Sequence, residues 1–516
     1  MLLDLDSLRT SDMPVPAGWR SRVVSDGAGF TVRGDKTAAP DVLLSATAGV
    51  VVSDRIEDVV ERLRSNGVEP RPSAFAVSAL LQSGLVPPPH SEFEDIYTLT
   101  MGDVVRVSWP DDRPRLDFDI DYPWFAGRSR NDGDPSERKL LDLLTAATVA
   151  DLDAAGGSGF LMLSSGKDSA AVALALAEAG RTDVPCVTYR AGMDDPEPAV
   201  AADICRRLGL EHRVVDAPAD PVRVEEILTR FFEVAPRPGT DLKQIPYVFA
   251  TASAGCDGGT VIDGGGNDSY MGYPVTGRWA MKTRLRLRGR WLRDFVQQHT
   301  PVDSPVNYLA RSRLETMLAG RLLRFHELSR FMPGAVDAGE FWAGLSQETA
   351  RLDLFDVYAF IERYATPPAS MKKHTLSANA IGCTASVPWC NHEIADYYFN
   401  LPEEHRYDRK RGVNKLLLRR MLLEYLDYDA DEIGKHYFSF DGARFVARNR
   451  GFIRSEIVSC DLWDRDRLGT VIDWLDAVDT RPLLHHAILT LFMVSGWHNH
   501  SSLDVATLAP NPAMGG

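Results

Sequence analysis

Cysteine is scarce in this sequence, and its distribution excludes several classes of protein. None of the six cysteines precedes Cys186, and no two of them form a C-x-x-C pair. The pattern therefore excludes a disulfide scaffold and a zinc site of the C-x-x-C type, and it fits a reducing compartment. The cysteines stand at positions 186, 205, 256, 383, 390 and 460.

Long apolar runs and an excess of positive charge are also missing. No run of about twenty apolar residues occurs, as a membrane-spanning helix would need, and the acidic start Met1–Asp6 is unlike a signal peptide. We therefore expect a cytoplasmic protein without a membrane segment. The 57 Lys and Arg residues against 72 Asp and Glu residues give a formal net charge of −15, which argues against general nucleic-acid binding.

What the chain does have is length and apolar content. Its 516 residues exceed one typical domain, and 44% of them are hydrophobic, which suffices for two packed cores. We find no internal repeat. We predict a first domain over 1–135, a second over 136–508, and a disordered tail over 509–516.

The most informative motif follows a predicted buried strand, Gly159–Leu163. It reads Ser164-Ser165-Gly166-Lys167-Asp168-Ser169 and leads into a helix of small residues. A tight turn between a strand and a helix gathers backbone N–H groups and a helix N-terminus at one point, which suits a polyphosphate. Asp168 adds a carboxylate of the kind that Mg²⁺ prefers. The spacing is not that of a Walker loop.

A second strand-to-loop motif lies about a hundred residues downstream. There, Val261-Ile262 leads into Asp263-Gly264-Gly265-Gly266-Asn267-Asp268, a glycine-rich loop with its own carboxylate. Two such loops face each other across the carboxyl edge of a parallel sheet. Asp168 and Asp268 are therefore predicted to share Mg²⁺ bound to a polyphosphate, although Asp268 could also serve only as a turn residue.

The segment between the two motifs alternates between strand and helix patterns. Val184–Tyr189 reads as a strand, Pro196–Leu208 as an amphipathic helix, and His212–Asp216 as a third strand. This alternation predicts an α/β domain with a doubly wound parallel sheet.

The two loops resemble the S-G-G-x-D-S loop of N-type ATP pyrophosphatases and, more narrowly, the synthetase domain of the asparagine synthetase superfamily. The resemblance implies an adenine nucleotide α-hydrolase-like fold with a helical C-terminal part, and ATP and Mg²⁺ as cofactors. It also implies a set of nucleotide-binding residues, which are Leu163, Ser164, Ser165, Gly166, Lys167, Asp168, Ser169, Val187, Tyr189, Gly264 and Gly265.

The resemblance continues towards the C-terminus through Gly412–Arg419, which matches a G-x-x-K-x-x-L-R helix start. Beyond it, Lys435 stands where the β-lactam-forming branch carries a lysine that stabilises the charge of the adenylate and of the tetrahedral intermediate. The resemblance therefore implies a catalytic role for Lys435. The alternative is a solvated lysine at a helix end.

The base that deprotonates the attacking amine is implied less clearly. Tyr358 and Glu362 are four residues apart, share one helical face and match a segment that carries the base in β-lactam-type relatives. However, those relatives also place a tyrosine in the glycine-rich loop, and asparagine synthetases place a glutamate there, where this chain has Gly265. The identity of the base is therefore open. The alternative for Glu362 is a surface residue without a catalytic role.

The N-terminal segment predicts a smaller, β-rich α+β domain. Val86–Gly102 resembles the last part of the glutaminase domain of the same superfamily. That domain uses an N-terminal cysteine as its nucleophile, whereas residue 2 is Leu here. We therefore expect a degenerate glutaminase-like module and an amine that comes from another source.

Two further positions leave alternatives open. Ser165 replaces the usual second glycine of the loop, and Lys167 fills a position where lysine recurs in enzymes that modify tRNA or transfer sulfur. Asp241 resembles a position near the substrate pocket, but a helix N-cap explains it equally well.

One segment interrupts the acidic trend. Basic residues and tryptophans alternate between Arg278 and Arg293, with no acidic residue among them. The Arg284–Arg293 region is predicted to dock an acidic carrier protein or peptide, or else to be a solvated helix face. A homodimer is also left open.

The sequence thus predicts an ATP-dependent, AMP-forming carbon–nitrogen ligase, acting in specialised metabolism. It would adenylate a small-molecule or peptide carboxylate, release pyrophosphate and join the acyl group to an amine. The alternatives are a lasso-peptide-type macrolactam cyclase and, from a different class, an adenylating sulfur-transfer or tRNA-modifying enzyme. A binding module without activity is disfavoured because both loop carboxylates are present.

Overall fold

The structure is a computed structural model, and it describes most of the chain. The described residues are 2–10, 14–16, 19, 22–27, 29–37, 42–121, 133–192, 194–239, 243–255, 258–272, 281, 287, 289–301, 304–318, 323–434 and 440–503.

The N-terminal module contains two four-stranded antiparallel sheets, in the orders β1-β5-β4-β6 and β2-β3-β7-β8. This arrangement confirms the predicted β-rich N-terminal region. Its strands are β1 (Leu3–Asp4), β2 (Val23–Ser25), β3 (Gly29–Arg33), β4 (Val42–Ser45), β5 (Val51–Ser53), β6 (Ile96–Leu99), β7 (Asp103–Ser108) and β8 (Arg115–Ile120). Its helices are Leu5–Thr10, Ile56–Ser65, Ala74–Ser83 and the 3₁₀ turn Pro110–Asp112.

The second module is built on a five-stranded parallel sheet in the order β11-β10-β9-β12-β13. The strands are β9 (Gly159–Met162), β10 (Cys186–Arg190), β11 (His212–Asp216), β12 (Thr260–Asp263) and β13 (Thr384–Ser386). The helices that precede, connect and follow the first four strands are Glu137–Ala154, Lys167–Glu178, Glu197–Leu208, Pro221–Val234, Gln244–Ala254 and Asp268–Met271. The predicted α/β fold is therefore confirmed.

The position of β9 at the centre of the sheet follows from its composition. Phe160, Leu161 and Met162 are all buried, which is typical of a parallel strand covered by helices on both faces. A side chain at Gly159 would meet the carbonyl oxygen of Thr260 at 2.2 Å, so the close approach of β9 and β12 requires glycine at that point.

The remaining chain is mostly helical, as expected. A two-stranded antiparallel ribbon, β14 (Tyr407–Asp408) and β15 (Val413–Asn414), is its only extended pair within the described residues beyond Ser386. The helices are Arg290–His299, Pro305–Ala310 (3₁₀), Arg313–Leu318, Phe325–Leu328, Ala338–Glu348, Leu354–Ala365, Thr366–Met371 (π), Lys372–Ala380, Pro388–Cys390 (3₁₀), His392–Phe399, Glu403–Arg406, Leu416–Leu426, Ala430–Ile433, Gly442–Arg448, Arg450–Ser459, Arg465–Arg467 (3₁₀), Gly469–Ala477, Pro482–Leu484 (3₁₀) and His485–His500.

The two modules are joined by buried ion pairs as well as apolar contacts. Glu92 of the N-terminal module pairs with Arg237 and with Lys372, each at 2.6 Å. Arg363 pairs in the same way with Asp103 at the start of β7. These contacts fix the first module against the helices that surround the parallel sheet.

The predicted boundary at 135/136 follows residues 122–132, which lie outside the described part of the chain, as does the predicted tail 509–516. Among the described residues, no helix combines the length and the apolar character that crossing a membrane requires.

Candidate functional site

The carboxyl edge of the parallel sheet opens into a cleft of about 540 Å³. One wall carries the Ser164–Ser169 loop, the other carries the loop that follows β12, and helix residues close the ends. The predicted residues that line it are Leu163, Ser164, Gly166, Lys167, Asp168, Ser169, Tyr189, Gly264, Gly265 and Asp268. The further lining residues that matter below are Lys243, Tyr247, Asp263, Ser370, Lys373, His374, Lys415 and Arg419.

The first loop is closed by its own hydroxyl groups. The N–H of Gly166 donates to Ser164 Oγ at 3.1 Å, and the N–H of Ser164 donates to Ser169 Oγ at 3.2 Å. The helix that starts at Lys167 has no side-chain cap on its first N–H groups. A phosphate is the kind of ligand that such a helix N-terminus binds.

Two predicted nucleotide-binding residues lie outside the lining of the cleft. Ser165 is fully buried, and its hydroxyl donates to Glu197 Oε1 at 3.2 Å instead. Val187 is buried in the core of the sheet. Their side chains shape the loop and the strand rather than the surface of the cleft.

The two carboxylate loops meet at one lysine. Lys415 Nζ lies 2.8 Å from both carboxylate oxygens of Asp168 and 2.7 Å from Asp268 Oδ1. It also donates to the Asn267 side-chain oxygen at 2.7 Å, and the Asn267 amide donates to Asp168 Oδ1 at 2.8 Å. The predicted meeting of Asp168 and Asp268 is therefore present, with an ammonium group between them.

The backbone at Lys415 is unusual and supports this placement. Its φ of 58° lies in the left-handed region, which residues other than glycine rarely adopt. The residue stands between β15 and the helix Leu416–Leu426, where Asn414 anchors the turn by donating to Gly272 O at 2.7 Å. Strained backbone of this kind persists where the surrounding structure fixes it, often at a functional site.

Burial and charge act in opposite directions on this cluster. Burial opposes the charge on Lys415, but the carboxylates of Asp168 and Asp268 outweigh it and hold the pKa of the lysine above its ordinary value. Burial likewise acts to raise the pKa of Asp168, but the ammonium groups of Lys415 and Lys167 lower it. Burial lowers the pKa of Lys167 to about 8.

The donor set fits the predicted Mg²⁺. Asp168 and Asp268 provide hard oxygen ligands, which Mg²⁺ selects, and Mg²⁺ in phosphate-transfer sites takes its other ligands from water and the substrate phosphates. Among the described residues, no group of three or more His, Cys, Asp or Glu side chains could hold a metal ion by itself. A metal here would therefore be held by the two aspartates together with ATP.

The cleft carries a second polar cluster around Asp263. Asp263, the last residue of β12, accepts a hydrogen bond from the Tyr247 hydroxyl at 2.8 Å and another from the Gly265 N–H at 2.7 Å. His374 Nε2 lies 3.2 Å from Asp263 Oδ1. Burial and the Asp263 carboxylate raise the pKa of Tyr247 well above its ordinary range, so the hydroxyl stays a donor.

The predicted base residues do not reach this cleft. Tyr358 lies in an apolar cluster with Trp342 and Leu314, and Glu362 is buried and accepts a hydrogen bond from the Thr366 hydroxyl. Neither lines the cleft. Their role as a base remains a prediction that the geometry does not support.

Several other predictions fall on residues outside the described part of the chain. These are the catalytic role of Lys435, the substrate contact of Asp241 and most of the Arg284–Arg293 region. The structure does describe the end of the Arg284–Arg293 region, which forms the start of the helix Arg290–His299. Trp291 on this helix is 76% exposed.

Sequence reasoning missed Lys415 and His374 as site residues. Lys415 belongs to a motif that the sequence shows, but its partners lie about 150 and 250 residues earlier in the chain. His374 belongs to no motif and follows two lysines on a helix. The available signal for Lys415 was its place in the G-x-x-K-x-x-L-R motif, directly before an apolar helix.

A comparison with models of known protein families identifies the family of the second module. A model of the family described as "Asparagine synthase" matches residues 139–494, from the helix before β9 to the last helix. The chain belongs to the asparagine synthase family. Membership of this family implies ATP-dependent amide-bond ligase activity in general, with ATP used together with Mg²⁺ in most members. No curated protein matches the chain.

Proposed function

We propose that this protein adenylates a carboxylate with ATP, releases pyrophosphate and transfers the acyl group to an amine. The observation that carries the proposal is the meeting of Asp168 and Asp268 at Lys415, in a cleft at the carboxyl edge of the parallel sheet. The cluster combines oxygen ligands for a metal with cations for phosphates, and both are needed where pyrophosphate leaves.

The residues of the chain divide the work along the cleft. The first backbone N–H groups of the helix Lys167–Glu178 bind phosphate oxygens, and the side chains of Lys167, Lys415 and Arg419 balance the negative charge that develops as pyrophosphate departs. Asp168 and Asp268 would hold Mg²⁺, which shields the phosphates from one another and from the attacking carboxylate. Tyr189 and Leu163 line the side where the nucleoside would lie.

The reaction then has two steps. A carboxylate oxygen of the substrate attacks the α-phosphorus of ATP, and the bond to the bridging oxygen of pyrophosphate breaks. The amine nitrogen next attacks the acyl carbon, and AMP leaves with the electrons of the C–O bond. Lys435 is proposed to stabilise the charge of these states.

The amine is proposed to come from a free molecule or a peptide rather than from glutamine. No cysteine precedes Cys186 in these 516 residues, so the N-terminal module offers no cysteine nucleophile. We propose a role in specialised metabolism. One form of the reaction is ring closure of a peptide, in which the carboxylate and the amine belong to the same molecule. A sulfur-transfer reaction is the alternative of a different class.

We also propose that an anionic carrier protein or peptide docks beside the helix Arg290–His299. Trp291 and Phe295 are exposed there and stack on one another with ring centroids 5.9 Å apart. Arg293→Glu would then lower turnover with the native partner, while leaving turnover with a free small substrate unchanged.

The products of ATP cleavage test the central proposal. The protein is incubated with Mg²⁺, ATP, hydroxylamine and each of the proteinogenic amino acids as a carboxylate donor, and the nucleotides are separated by chromatography. AMP, pyrophosphate and a hydroxamate are expected with at least one acid. Formation of ADP and phosphate, or no acid-dependent turnover at all, would overturn the proposal.

A further inference from the structure

The space beside Gly265 is occupied by a side chain from a distant part of the chain. A Cβ atom at Gly265 would lie 3.1 Å from His374 Nε2, 3.0 Å from Asp263 Oδ1 and 2.9 Å from the Met371 methyl group. The imidazole therefore stands where a side chain at position 265 would begin. It belongs to the helix Lys372–Ala380, which is about 110 residues further along the chain.

We infer that Asp263 and His374 bind the amine substrate and that the imidazole of His374 takes its proton. The inference rests on the proposed amide-forming reaction and adds to it a named base and an amine-binding site. An ammonium group has no lone pair with which to attack, so a base must act before the carbon–nitrogen bond forms.

Asp263 is held in a fixed position as an acceptor. One of its carboxylate oxygens receives the Tyr247 hydroxyl, and the other receives the Gly265 N–H while it faces His374 Nε2 at 3.2 Å. Tyr247 and His374 are both 4% exposed, and their rings meet edge to face with centroids 4.9 Å apart. The imidazole therefore cannot swing away from the carboxylate.

The two facing atoms can accept from one proton donor that approaches both of them from the cleft. When the imidazole is neutral with its proton on Nδ1, Nε2 and the Asp263 carboxylate oxygen are both acceptors, and both residues line the cleft. A primary ammonium has three N–H donors, so it can donate to both atoms at once. The carboxylate also stabilises the imidazolium that forms when His374 takes a proton.

Charged groups on the neighbouring elements act on the same proton. Lys373 lies beside the cluster, with its Nζ 5.4 Å from the centre of the Tyr247 ring, and Lys243 lines the same cleft. These cations disfavour a lasting positive charge on His374, whereas Asp263 favours it. The opposing influences suit a base that accepts a proton and later returns it to solvent.

The position in the loop connects this base to the first reaction step. Asp263 and Asp268 are the two ends of one short loop, and Asp268 contacts Lys415 at the phosphate side. An acyl-adenylate held at the phosphate-binding cluster would therefore lie close to the proposed base.

The proposed step balances as follows. One N–H bond of the ammonium breaks, and its proton moves to His374 Nε2. The freed nitrogen lone pair forms the bond to the acyl carbon, and the C–O bond to AMP breaks with its electron pair going to the phosphate oxygen. The second proton that the nitrogen loses as it becomes an amide passes to the departing AMP phosphate or to water. Asp263 keeps its negative charge throughout and holds the Nε2–H by a hydrogen bond.

The test separates the two half-reactions by the choice of nucleophile. Hydroxylamine is largely unprotonated at neutral pH and captures an acyl-adenylate without a base, whereas methylamine, ammonia and amino acids are protonated. With the full-length protein, ATP and the proteinogenic amino acids as acids, His374→Gln is expected to lower amide formation with basic amines by about 100-fold or more. Hydroxamate formation should stay within about threefold of the unchanged protein, since adenylation needs no proton acceptor.

Two further variants keep the test informative. Asp263→Asn retains the size of the side chain but loses its charge, so it should lower amide formation in the same selective way. Asn379→Ala, on the exposed face of the same helix, should change neither reaction. Circular dichroism of each variant establishes that it is folded.

The outcomes separate failure of this inference from failure of the proposed function. If the unchanged protein forms no AMP with any acid, the proposed function is wrong and this inference falls with it. If it forms hydroxamates but no amide with any basic amine, it has no working base and the inference alone is wrong. Loss of both reactions in His374→Gln and Asp263→Asn, or loss of neither, would also overturn the inference.

Discussion

At the scale of single residues, the site depends on one buried ammonium group. Lys415 is 2% exposed and contacts both loop aspartates, which no other described cation does in this structure. A buried charge is tolerated only when it is paired, so Lys415 and the two aspartates stabilise one another. We propose that the same group balances phosphate charge when ATP is bound.

We therefore expect Lys415→Met to abolish adenylation nearly completely. The value of kcat/KM for ATP should fall by about 100-fold or more, because the transition state loses a cation in a site with little water. The free energy of unfolding should fall by about 3 kcal/mol, since two carboxylates are left without their partner. Pyrophosphate release and urea denaturation measure the two effects.

The matched control for this prediction is Lys410→Met, which changes an exposed lysine in the nearby ribbon. It should leave both quantities unchanged. Full adenylation activity in Lys415→Met would contradict the assignment of Lys415 to the phosphate site.

At the scale of elements, the distance between the two loops is set by glycine. A Cβ at Gly264 would lie 2.5 Å from the backbone nitrogen of Ser169 and 2.6 Å from its Cα. The loop after β12 therefore packs directly on the first turn of the helix Lys167–Glu178. This contact, rather than the sheet alone, brings the carboxylates within reach of one lysine.

Gly264→Ala should separate the loops. The added methyl group would clash with backbone atoms, so the loop itself has to shift. This shift should lower the free energy of unfolding by about 1–3 kcal/mol. The rate of pyrophosphate release should also fall, because the two carboxylates move apart. Gly192→Ala, where a Cβ would meet nothing within 4 Å, is the control and should behave like the unchanged protein. Equal activity of the two variants would show that the loops do not need this close approach.

The elements themselves were largely predictable from the sequence, but the site was only partly so. Strands β9 to β12 and the helix Glu197–Leu208 follow from apolar runs and helical periodicity, which are local properties. Asp168 and Asp268 were found because each lies in a local motif. His374 and Lys415 were missed because their roles arise from contacts across more than a hundred residues, which no periodicity encodes.

The prediction for Tyr358 and Glu362 rests on a resemblance and on their helical spacing, and neither says what the shared helix face meets. Their spacing does place them on one face of the helix Leu354–Ala365, but that face packs into an apolar cluster and a hydrogen bond to Thr366. Periodicity identifies which residues share a face. The packing of the helix decides what that face meets.

At the scale of the whole molecule, the N-terminal module is fixed to the synthetase module through Glu92. This residue is 2% exposed and pairs with Arg237 and with Lys372, which begins the helix that carries His374. Burial acts to raise the pKa of Glu92, but the two cations lower it to about 2. The contact gives the module a structural role next to the site.

The contribution of Glu92 to stability should therefore depend on pH. The pKa of Glu92 is lower in the folded state than its ordinary value of 4.5, so its stabilisation is complete above that value and is lost as the pH falls towards about 2. Between pH 6 and pH 3 the loss should be about 2 kcal/mol.

Glu92→Gln provides the measurement. The difference in unfolding free energy between the unchanged protein and this variant, from urea denaturation, should be large at pH 6 and smaller by the stated amount at pH 3. Glu94→Gln, an exposed neighbour, is the control. A difference that stays constant over this range would show that Glu92 is not held ionised by its two partners.

The most direct test of the whole account follows an oxygen atom. A substrate acid labelled with ¹⁸O in its carboxylate is incubated with the protein, Mg²⁺, ATP and an amine, and AMP is analysed by mass spectrometry. The account predicts that one ¹⁸O atom appears in AMP, because the carboxylate attacks the α-phosphorus and the same oxygen leaves with the phosphate. Label found in inorganic phosphate beside ADP, or AMP without label, would contradict it.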